Sequence, residues 1–221
     1  MTDVLERLAA VPAPPPVLSR ERAAELTPRQ WEILDELGRL FDKGFVDVTM
    51  AELAGRLNCS LRTLYGIAES RDQLVLTVVD RNLRTIGRAA HRAISDEMSA
   101  LDAVKSYLAA ANIAVSDTRG EFARDMESIP AGVALSEAHS AYIVDVTRCL
   151  LDIAVDRGEI GDVDTTAVAR MVAGLGRDFA RPEVMGSFRT SPRVAADQMV
   201  DLVVDALRRS APTDPPQRGS R

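Results

Sequence analysis

The sequence has few of the residues that mark a secreted, membrane-bound or metal-binding protein. Its 221 residues include only two cysteines, Cys59 and Cys149, and two histidines. Two thiols inside predicted helices favour free cysteines in a reducing compartment over a disulfide. No apolar run approaches the roughly twenty residues that span a bilayer, and the first residues include acids and do not resemble a signal peptide. The sequence therefore predicts a soluble, cytoplasmic protein that does not use a membrane as a partner.

Sequence motifs of catalysis and of metal or cofactor binding are absent as well. There is no Gly-rich phosphate loop, no HExxH, no paired-cysteine metal pattern and no Gly-x-Ser-x-Gly elbow. His139 lies near Glu137 and Ser140, but helical neighbours one to three positions apart do not form a triad through proximity in sequence. His91 has no histidine or cysteine neighbour at metal-ligand spacing. We therefore predict no catalytic residue, no metal and no cofactor; the alternative is a helical enzyme in which His139 is essential.

The net charge of −6 is unfavourable for a protein that binds nucleic acid, so its distribution along the chain matters. Residues 20–92 carry twelve basic and eleven acidic side chains, whereas residues 93–221 carry fourteen basic and twenty acidic ones. The acidic excess therefore lies in the C-terminal part. Because attraction to phosphates depends on a local basic face and not on the total charge, residues 20–92 are compatible with salt-sensitive DNA binding.

Residues 48–74 contain the most specific local pattern of the chain. Thr49 and Glu52 match a capping box at the start of a helix, and the apolar residues that follow recur at helical spacing. Asn58 comes next, and asparagine tolerates the left-handed backbone that stops a helix sharply. Ser60 then predicts the start of a second helix. Two helices joined by so short a turn form a helix-turn-helix, which occurs in DNA-binding proteins and also in proteins that never meet DNA.

From residue 29 to residue 74 the sequence resembles the DNA-binding domain of the TetR family of transcriptional regulators. The matches keep their order and spacing over about forty-five residues, which is far more specific than one short motif. Four positions depart from the family pattern: Asn58 replaces the turn glycine, Arg62 a small residue, Ala68 an aromatic residue and Arg71 a lysine. The matching residues are Ile33, Leu34, Leu40, Phe41, Lys43, Gly44, Phe45, Val48, Thr49, Leu53, Ala54, Cys59, Ser60, Thr63, Leu64, Tyr65 and the run from Ser70 to Leu74.

The rest of the chain reads as a succession of helices with no convincing strand. Thr27 and Pro28 predict a helix start, and Trp31 belongs to the apolar stripe that follows, so we expect Trp31 in the core. The sequence therefore predicts an all-α fold, with a three-helix helix-turn-helix bundle before a larger helical domain. After residue 70 the predicted helices cover about 71–95, 101–115, 119–129, 136–157, 165–180 and 192–209.

Four segments follow from these patterns and from the resemblance. The run from Pro12 to Pro16 favours extended backbone, which predicts a flexible arm, with a dedicated docking element as the alternative. Arg20 and Arg22 are candidates for a minor-groove contact by this arm. The predicted segments are a flexible arm over 1–22, a helix-turn-helix DNA-binding domain over 23–70, a helical effector-binding and dimerisation domain over 71–209 and a disordered tail over 210–221.

The resemblance implies which side chains face DNA. Arg62 is the main candidate for a base contact, because a guanidinium can bond guanine O6 and N7 together; a phosphate contact or a solvated surface arginine is the alternative. Tyr65 is either a phosphate contact or a packing residue. Thr49 and Ser60 cap helices whatever else they do. The complete set of predicted DNA-binding residues is Thr49, Ser60, Leu61, Arg62, Thr63, Tyr65 and Arg71.

The resemblance also implies a homodimeric, ligand-responsive regulator, most simply a repressor. Two heads would bind operator half-sites roughly 34–36 Å apart or a multiple of one turn. A small-molecule effector in the C-terminal domain would favour a conformation that binds this double-stranded DNA operator weakly. The shortage of aromatic residues favours a largely apolar effector. The candidate lining residues, each with ordinary core packing as the alternative, are Tyr107, Phe122, Met126, His139, Tyr142, Met171 and Phe179. A helical interaction or adaptor protein that keeps the helix-turn-helix without specific DNA binding is the alternative function.

Overall fold

Helices form all the regular structure in the described part of this computed structural model, which covers residues 4–41, 48–113, 120–179 and 181–211. The predicted all-α class is confirmed over these ranges. No helix within them is both long enough and apolar enough to cross a membrane. The helices are α1 (Val4–Ala9), α2 (Arg20–Glu25), α3 (Pro28–Phe41), α4 (Met50–Arg56), α5 (Leu61–Tyr65), α6 (Arg71–Arg92), α7 (Ala100–Ala111), α8 (Gly120–Glu127), α9 (Pro130–Asp156), α10 (Thr165–Phe179), α11 (Pro182–Met185) and α12 (Pro192–Arg208).

The turn between α4 and α5 forms as the sequence pattern predicts. Thr49 Oγ1 accepts a hydrogen bond from the Glu52 N–H at 3.2 Å, and Glu52 Oε2 accepts one from the Thr49 N–H at 2.8 Å. Asn58 has a φ of 46°, and the N–H of the following Cys59 donates to the Ala54 carbonyl at 3.0 Å. This bond across a left-handed residue is the Schellman arrangement. It ends α4 abruptly and lets α5 begin three residues later.

The first hydrophobic core joins α3, α4 and α5 to the first half of α6. Leu64 and Leu74 are fully buried in it, and Ala68, at the position where the family has an aromatic residue, is buried too. Trp31 is only half-buried at the edge of this core, where the Arg81 guanidinium carbon lies 5.1 Å from its ring centroid. The expectation of a core tryptophan is therefore met only in part, because the side chain packs against the core but stays partly exposed. Arg81, on the adjoining helix, covers the ring face that the apolar stripe predicted to be inside.

The second core is built around α9, against which α7 and α10 pack. Its buried residues Val146, Leu150 and Ala154 recur every four positions, which keeps them on one face of the helix. α9 begins at Pro130, ahead of the predicted residue 136, because proline is favoured in the first turn, where its missing N–H is not needed. It ends at Asp156, and Gly158, two residues further on, has a φ of 69°, which suits glycine after the end of a helix.

Residues 4–25 pack along the protein, which corrects the prediction of a flexible arm over 1–22. Leu8 is 3% exposed and lies with Val4 in the second core, next to α9. Arg7 Nη1 also pairs with Asp156 Oδ2 at 2.6 Å. Burying each of two aliphatic side chains stabilises by about 1.5–3 kcal/mol, which offsets the entropy lost on ordering a short helix. We call residues 4–25 the N-terminal strap.

The strap crosses from the second core to the helix-turn-helix. Arg84 Nη2 donates to the Pro14 carbonyl at 2.7 Å, and the Val17 N–H donates to Asp80 Oδ2 at 3.0 Å. At its far end, Arg22 Nη2 donates to the Gly66 carbonyl at 3.1 Å. The proline run favours extended backbone, so it spans this distance without a helix of its own. The predicted tail, beyond Ala211, lies outside the described residues.

Candidate DNA-binding helix and effector cavity

The helix α5 separates an outward face from a buried one. Leu61 is 43% exposed and Tyr65 is 50% exposed, and Arg62 is exposed beside them. Leu64 points the other way and is completely buried. Three exposed side chains on one face of a helix that follows a tight turn form the arrangement by which helix-turn-helix proteins enter a major groove.

Side-chain hydrogen bonds hold both ends of this five-residue helix. At its start, Ser60 Oγ accepts from the Thr63 N–H at 3.1 Å. At its end, Gln30 Nε2 donates to the Thr63 carbonyl at 3.3 Å, and Arg22 Nη2 donates to the Gly66 carbonyl at 3.1 Å. Because a short helix leaves most of its carbonyls without an internal partner, these two donors fix the orientation of α5.

The remaining predicted DNA-binding residues have structural partners of their own. Thr49 sits in the capping box of α4, and the hydroxyls of Ser60 and Thr63 lie 2.8 Å apart. Arg71 is half-buried, and its Nε donates to the Val48 carbonyl at 2.8 Å. The structure thus places Arg71 next to the start of α4, with Thr49 one residue further along. These contacts explain why Thr49 and Arg71 suit their positions whether or not they also meet a phosphate.

A cavity of about 180 Å³ lies in the C-terminal part, between α6, α7, α9, α10 and α12. Aliphatic side chains form most of its wall. The polar lining residues are Asn112 at the end of α7 and Ser136, His139 and Ser140 on α9. Among the described lining residues, His139 is the one with an ionisable side chain. The cavity is therefore an apolar space with a few convergent polar groups, which is the usual character of a small-molecule site.

His139 is held by a buried carboxylate on α6. Its Nε2 lies 2.9 Å from Asp80 Oδ1, and Asp80 is only 3% exposed. Burial raises the pKa of Asp80, but hydrogen bonds from His139, Arg84 and the Val17 N–H together outweigh burial and lower this pKa. Asp80 is therefore ionised at neutral pH and accepts only, so the Nε2 atom of His139 carries the proton.

Asn112 is held by a carboxylate on α12. Its Nδ2 donates to Asp197 Oδ1 at 2.9 Å, and because the carboxylate can only accept, this contact fixes which way the amide points. Asn112 Oδ1 then lies towards α10, where a Cβ built on Gly176 would be 3.5 Å from it. Both Asn112 and Gly176 line the cavity.

Of the seven residues predicted to line an effector pocket, His139 lines this cavity and five others do not. Tyr107 is buried in the core of α7, and burial raises its pKa. Tyr142 lies on another side of α9, where its hydroxyl is 2.8 Å from His91 Nε2 in a groove beside the strap. Tyr107 therefore packs as a core residue, whereas Tyr142 lines that groove.

The other predicted lining residues are placed elsewhere. Met126 packs in the core of the helix-turn-helix region, and Met171 is exposed on α10. The Phe179 ring packs against Phe188 with centroids 4.6 Å apart. The side chain of Phe122 lies outside the described residues. Helical spacing identifies which residues share a face, but it does not tell which neighbouring helix covers that face, and this is why these predictions failed.

Several lining residues were missed, chiefly on α12. Met199, Val200 and Val203 of this helix contribute to the wall, whereas α8, which was expected to contribute, does not among its described side chains. One sequence signal was available. Ser136, His139, Ser140 and Ile143 recur at helical spacing and put small and polar side chains on one face of an otherwise apolar helix.

Together these features define a class of protein: an all-helical chain in which a capped helix-turn-helix precedes a helical domain that encloses a cavity. Its fold is that of the TetR-family transcriptional regulators, as the resemblance implied. A TetR regulator from Haloarcula marismortui superposes with a TM-score of 0.69 at 19% identity, over 81% of this chain and 97% of that one. No protein-family model matches the sequence, and no curated protein matches it significantly.

Two further solved structures show the same likeness. A tetR-family regulatory protein from Rhodococcus RHA1 gives a TM-score of 0.61 at 18% identity, over 82% of this chain and 97% of that one. SmeT, the repressor of the Stenotrophomonas maltophilia multidrug efflux pump SmeDEF, gives 0.58 at 19% identity, over 79% and 89% of the two chains. At such identities the shared property is the fold, and this fold covers nearly the whole length of the neighbours.

Proposed function

We propose that the protein is a homodimeric transcriptional regulator that binds a palindromic DNA operator through α5 and is released from it by a small molecule. The observation that carries this proposal is the outward face of α5. Leu61, Arg62 and Tyr65 are exposed together on a helix whose two ends are held by Ser60, Gln30 and Arg22. A repressor is the simplest form of such a regulator, and SmeT, which has this fold, is one.

Arg62 is the residue proposed to read a base. Its side chain is exposed and forms no ion pair with another described residue, so it is available for the two acceptors of a guanine. Tyr65, Thr49, Thr63 and Arg71 are proposed to contact phosphates, which position the head without specifying sequence. The departure at Ala68 does not weaken this proposal, because Ala68 is buried beneath α5 and not on its outward face.

The proposed release depends on α6, which contributes both to the wall of the cavity and to the core of the helix-turn-helix domain, here called the head. Leu83 of α6 lines the cavity, while Leu74 and Val75 at the start of the same helix belong to the head core. A molecule that changes the packing of the cavity wall therefore acts on a helix that is continuous with the reading head. It weakens operator binding by the difference in its affinity for the two arrangements.

Dimerisation is proposed through α10 and α12, which present apolar side chains to solvent. Leu202 is 64% exposed, and Val194 on α12 and Met171 on α10 are exposed as well. Large exposed apolar side chains on adjacent helices mark an interaction surface. A second copy of the chain packing here would give two heads for the two half-sites, and such a protein works beside the chromosome, in the cytoplasm.

The experiment that tests the proposal is a selection of genomic DNA fragments with the purified chain. We expect enrichment of one near-palindromic site, with binding that weakens steeply as salt is raised. The double variant Arg62→Ala, Tyr65→Ala should lose this enrichment. Arg88→Ala removes an exposed arginine from α6, far along the helix from the head, and serves as the matched control that should keep it.

Two outcomes would contradict the proposal. If no fragment is enriched even at low salt, where phosphate attraction is strongest, the chain does not bind DNA specifically. The interaction or adaptor protein would then be the better function. If both variants lose binding equally, α5 is not the reading element, and the exposed face of this helix would have to serve another partner.

A further inference from the structure

We propose that the cavity takes an uncharged, mainly apolar molecule, about the size of one or two fused rings, that donates hydrogen bonds. This inference rests on the proposed effector-binding role and names the chemistry of its ligand. Three independent features carry it: the volume of the cavity, the hydrogen-bonding state of Asn112, and the charges behind the wall.

The volume limits the size of the ligand. The cavity measures about 180 Å³. An engineered apolar cavity of roughly 150 Å³ binds benzene, whereas drug-sized ligands occupy pockets of roughly 300–1,000 Å³. A molecule with one or two fused rings therefore matches the volume of this space.

The hydrogen-bonding state of the wall favours ligands that donate. His139 Nε2 already points its proton at Asp80, and Asn112 Nδ2 already donates to Asp197. The other polar atom of Asn112, Oδ1, is an acceptor only, and it has no partner within the described part of the chain. The Ser136 and Ser140 hydroxyls can rotate to donate or accept, so they do not discriminate.

The charges behind the wall exclude anions and give no advantage to cations. Asp80 and Asp197 stand behind His139 and Asn112, and no lysine or arginine is among the described lining residues. An anion would therefore lose its hydration without gaining a lysine or arginine as partner. Arg84 already neutralises Asp80 at 2.8 Å, and Arg193 lies 3.7 Å from Asp197, so a cation finds no unpaired carboxylate.

Isothermal titration calorimetry with three matched probes tests the inference on the unaltered chain. 1-Naphthol, 1-methylnaphthalene and 1-naphthoate share one ring system and differ in carrying a donor, no donor or a negative charge. We expect 1-naphthol to bind about two- to tenfold more tightly than 1-methylnaphthalene, the value of the one hydrogen bond that its hydroxyl can donate, and 1-naphthoate to release no heat. Equal affinities for the first two probes, tightest binding of the carboxylate, or no binding of any probe would each overturn the inference.

Two variants locate the effect in the cavity. Asn112→Leu keeps the branched shape and the number of heavy atoms and removes one acceptor, so it should reduce the ratio of the affinities for 1-naphthol and 1-methylnaphthalene. Met199→Leu changes the same wall without a polar atom and should leave the preference unaltered. If Asn112→Leu fails to fold, the three-probe comparison still decides. The titration contains no DNA, so its failure and a failure of operator binding are separate results.

Discussion

His139 Nε2 lies 2.9 Å from Asp80 Oδ1, so a cavity-lining side chain of α9 is bonded directly to a buried carboxylate of α6. Asp80 also accepts from Arg84 on its own helix and from the Val17 N–H of the strap. The Asp80 carboxylate therefore contacts the cavity wall through His139, its own helix α6 through Arg84, and the strap through Val17. The strap in turn reaches the end of α5, where Arg22 donates to the Gly66 carbonyl. We expect a ligand that moves His139 to act on all three.

The first prediction concerns the stability that Asp80 provides. The pKa of Asp80 is lowered from an ordinary value of 3.8. The contribution of its carboxylate to the free energy of unfolding is therefore complete above pH 3.8 and is lost as the pH falls from 3.8 towards the folded-state pKa. Asp80→Ala should lower the free energy of unfolding at pH 7 by about 3–5 kcal/mol, because it leaves Arg84 without its partner. Denaturant unfolding between pH 7 and pH 3 should show a smaller loss of stability with acid in the variant than in the unaltered chain.

Asp35→Asn is the control for this prediction. Asp35 pairs with Arg81 at 2.6 Å but is largely exposed, so its loss should cost less than about 1 kcal/mol. If Asp80→Ala costs no more than this control, the buried carboxylate does not join the strap to the body as the contacts indicate.

The second prediction tests whether the strap is packed in solution. Leu8 is 3% exposed in the second core, whereas Leu5 on the same short helix is 41% exposed. Leu8→Ala should lower the free energy of unfolding by about 2–3 kcal/mol, and Leu5→Ala should change it by less than about 1 kcal/mol. Thermal and denaturant unfolding measure the stability of both variants. If both substitutions have equal and negligible effects, residues 1–22 form a flexible arm in solution, as the sequence predicted.

The third prediction concerns the turn of the helix-turn-helix. Asn58 has a φ of 46°, a conformation that glycine adopts freely and that costs a residue with a Cβ about 1–2 kcal/mol. Asn58→Ala should therefore destabilise the protein by about 1 kcal/mol, because alanine also lacks the short polar side chain that makes this backbone tolerable. Asn58→Gly should be nearly neutral. Denaturant midpoints that rank alanine above glycine at this position would contradict the assignment of backbone strain.

The fourth prediction follows from the proposed dimer. Leu202→Glu puts a charge at a site that is 64% exposed in a single chain and that the proposal buries between two copies. Sedimentation velocity should then show monomers at concentrations where the unaltered chain is dimeric, because burying an unpaired carboxylate is costly. Val133→Glu, at an exposed apolar position on α9, is the matched control and should leave the dimer intact. Monomers in both variants, or in neither, would place the interface elsewhere.

The local elements were predictable because their determinants are close together in the chain. Thr49, Glu52, Asn58 and Ser60 specify two helices and the turn between them through bonds that span only three to five residues. The outward face of α5 could be predicted for the same reason. Once Leu64 points inward, helical geometry places Leu61, Arg62 and Tyr65 on the other sides.

The cavity was not predictable in the same way, since its wall depends on contacts between distant segments. Asn112 meets Asp197 across eighty-five positions, and His139 meets Asp80 across fifty-nine. The predicted lining residues were aromatic, methionine and histidine side chains of the C-terminal helices. Tyr107, Met126 and Phe179 are instead covered by neighbouring parts of the fold that the chain pattern did not identify.

The sequence by itself thus determined the all-helical class, the capped helix-turn-helix and the helix starts at Pro28, Arg71 and Pro192, because capping and helical periodicity act within a few residues. The tertiary structure alone decided that the strap is packed and that His139 lines the cavity while Tyr142 faces the strap. These outcomes depend on which faces of separate helices meet, and that choice is made by burial of apolar surface across the whole fold and not by local pattern.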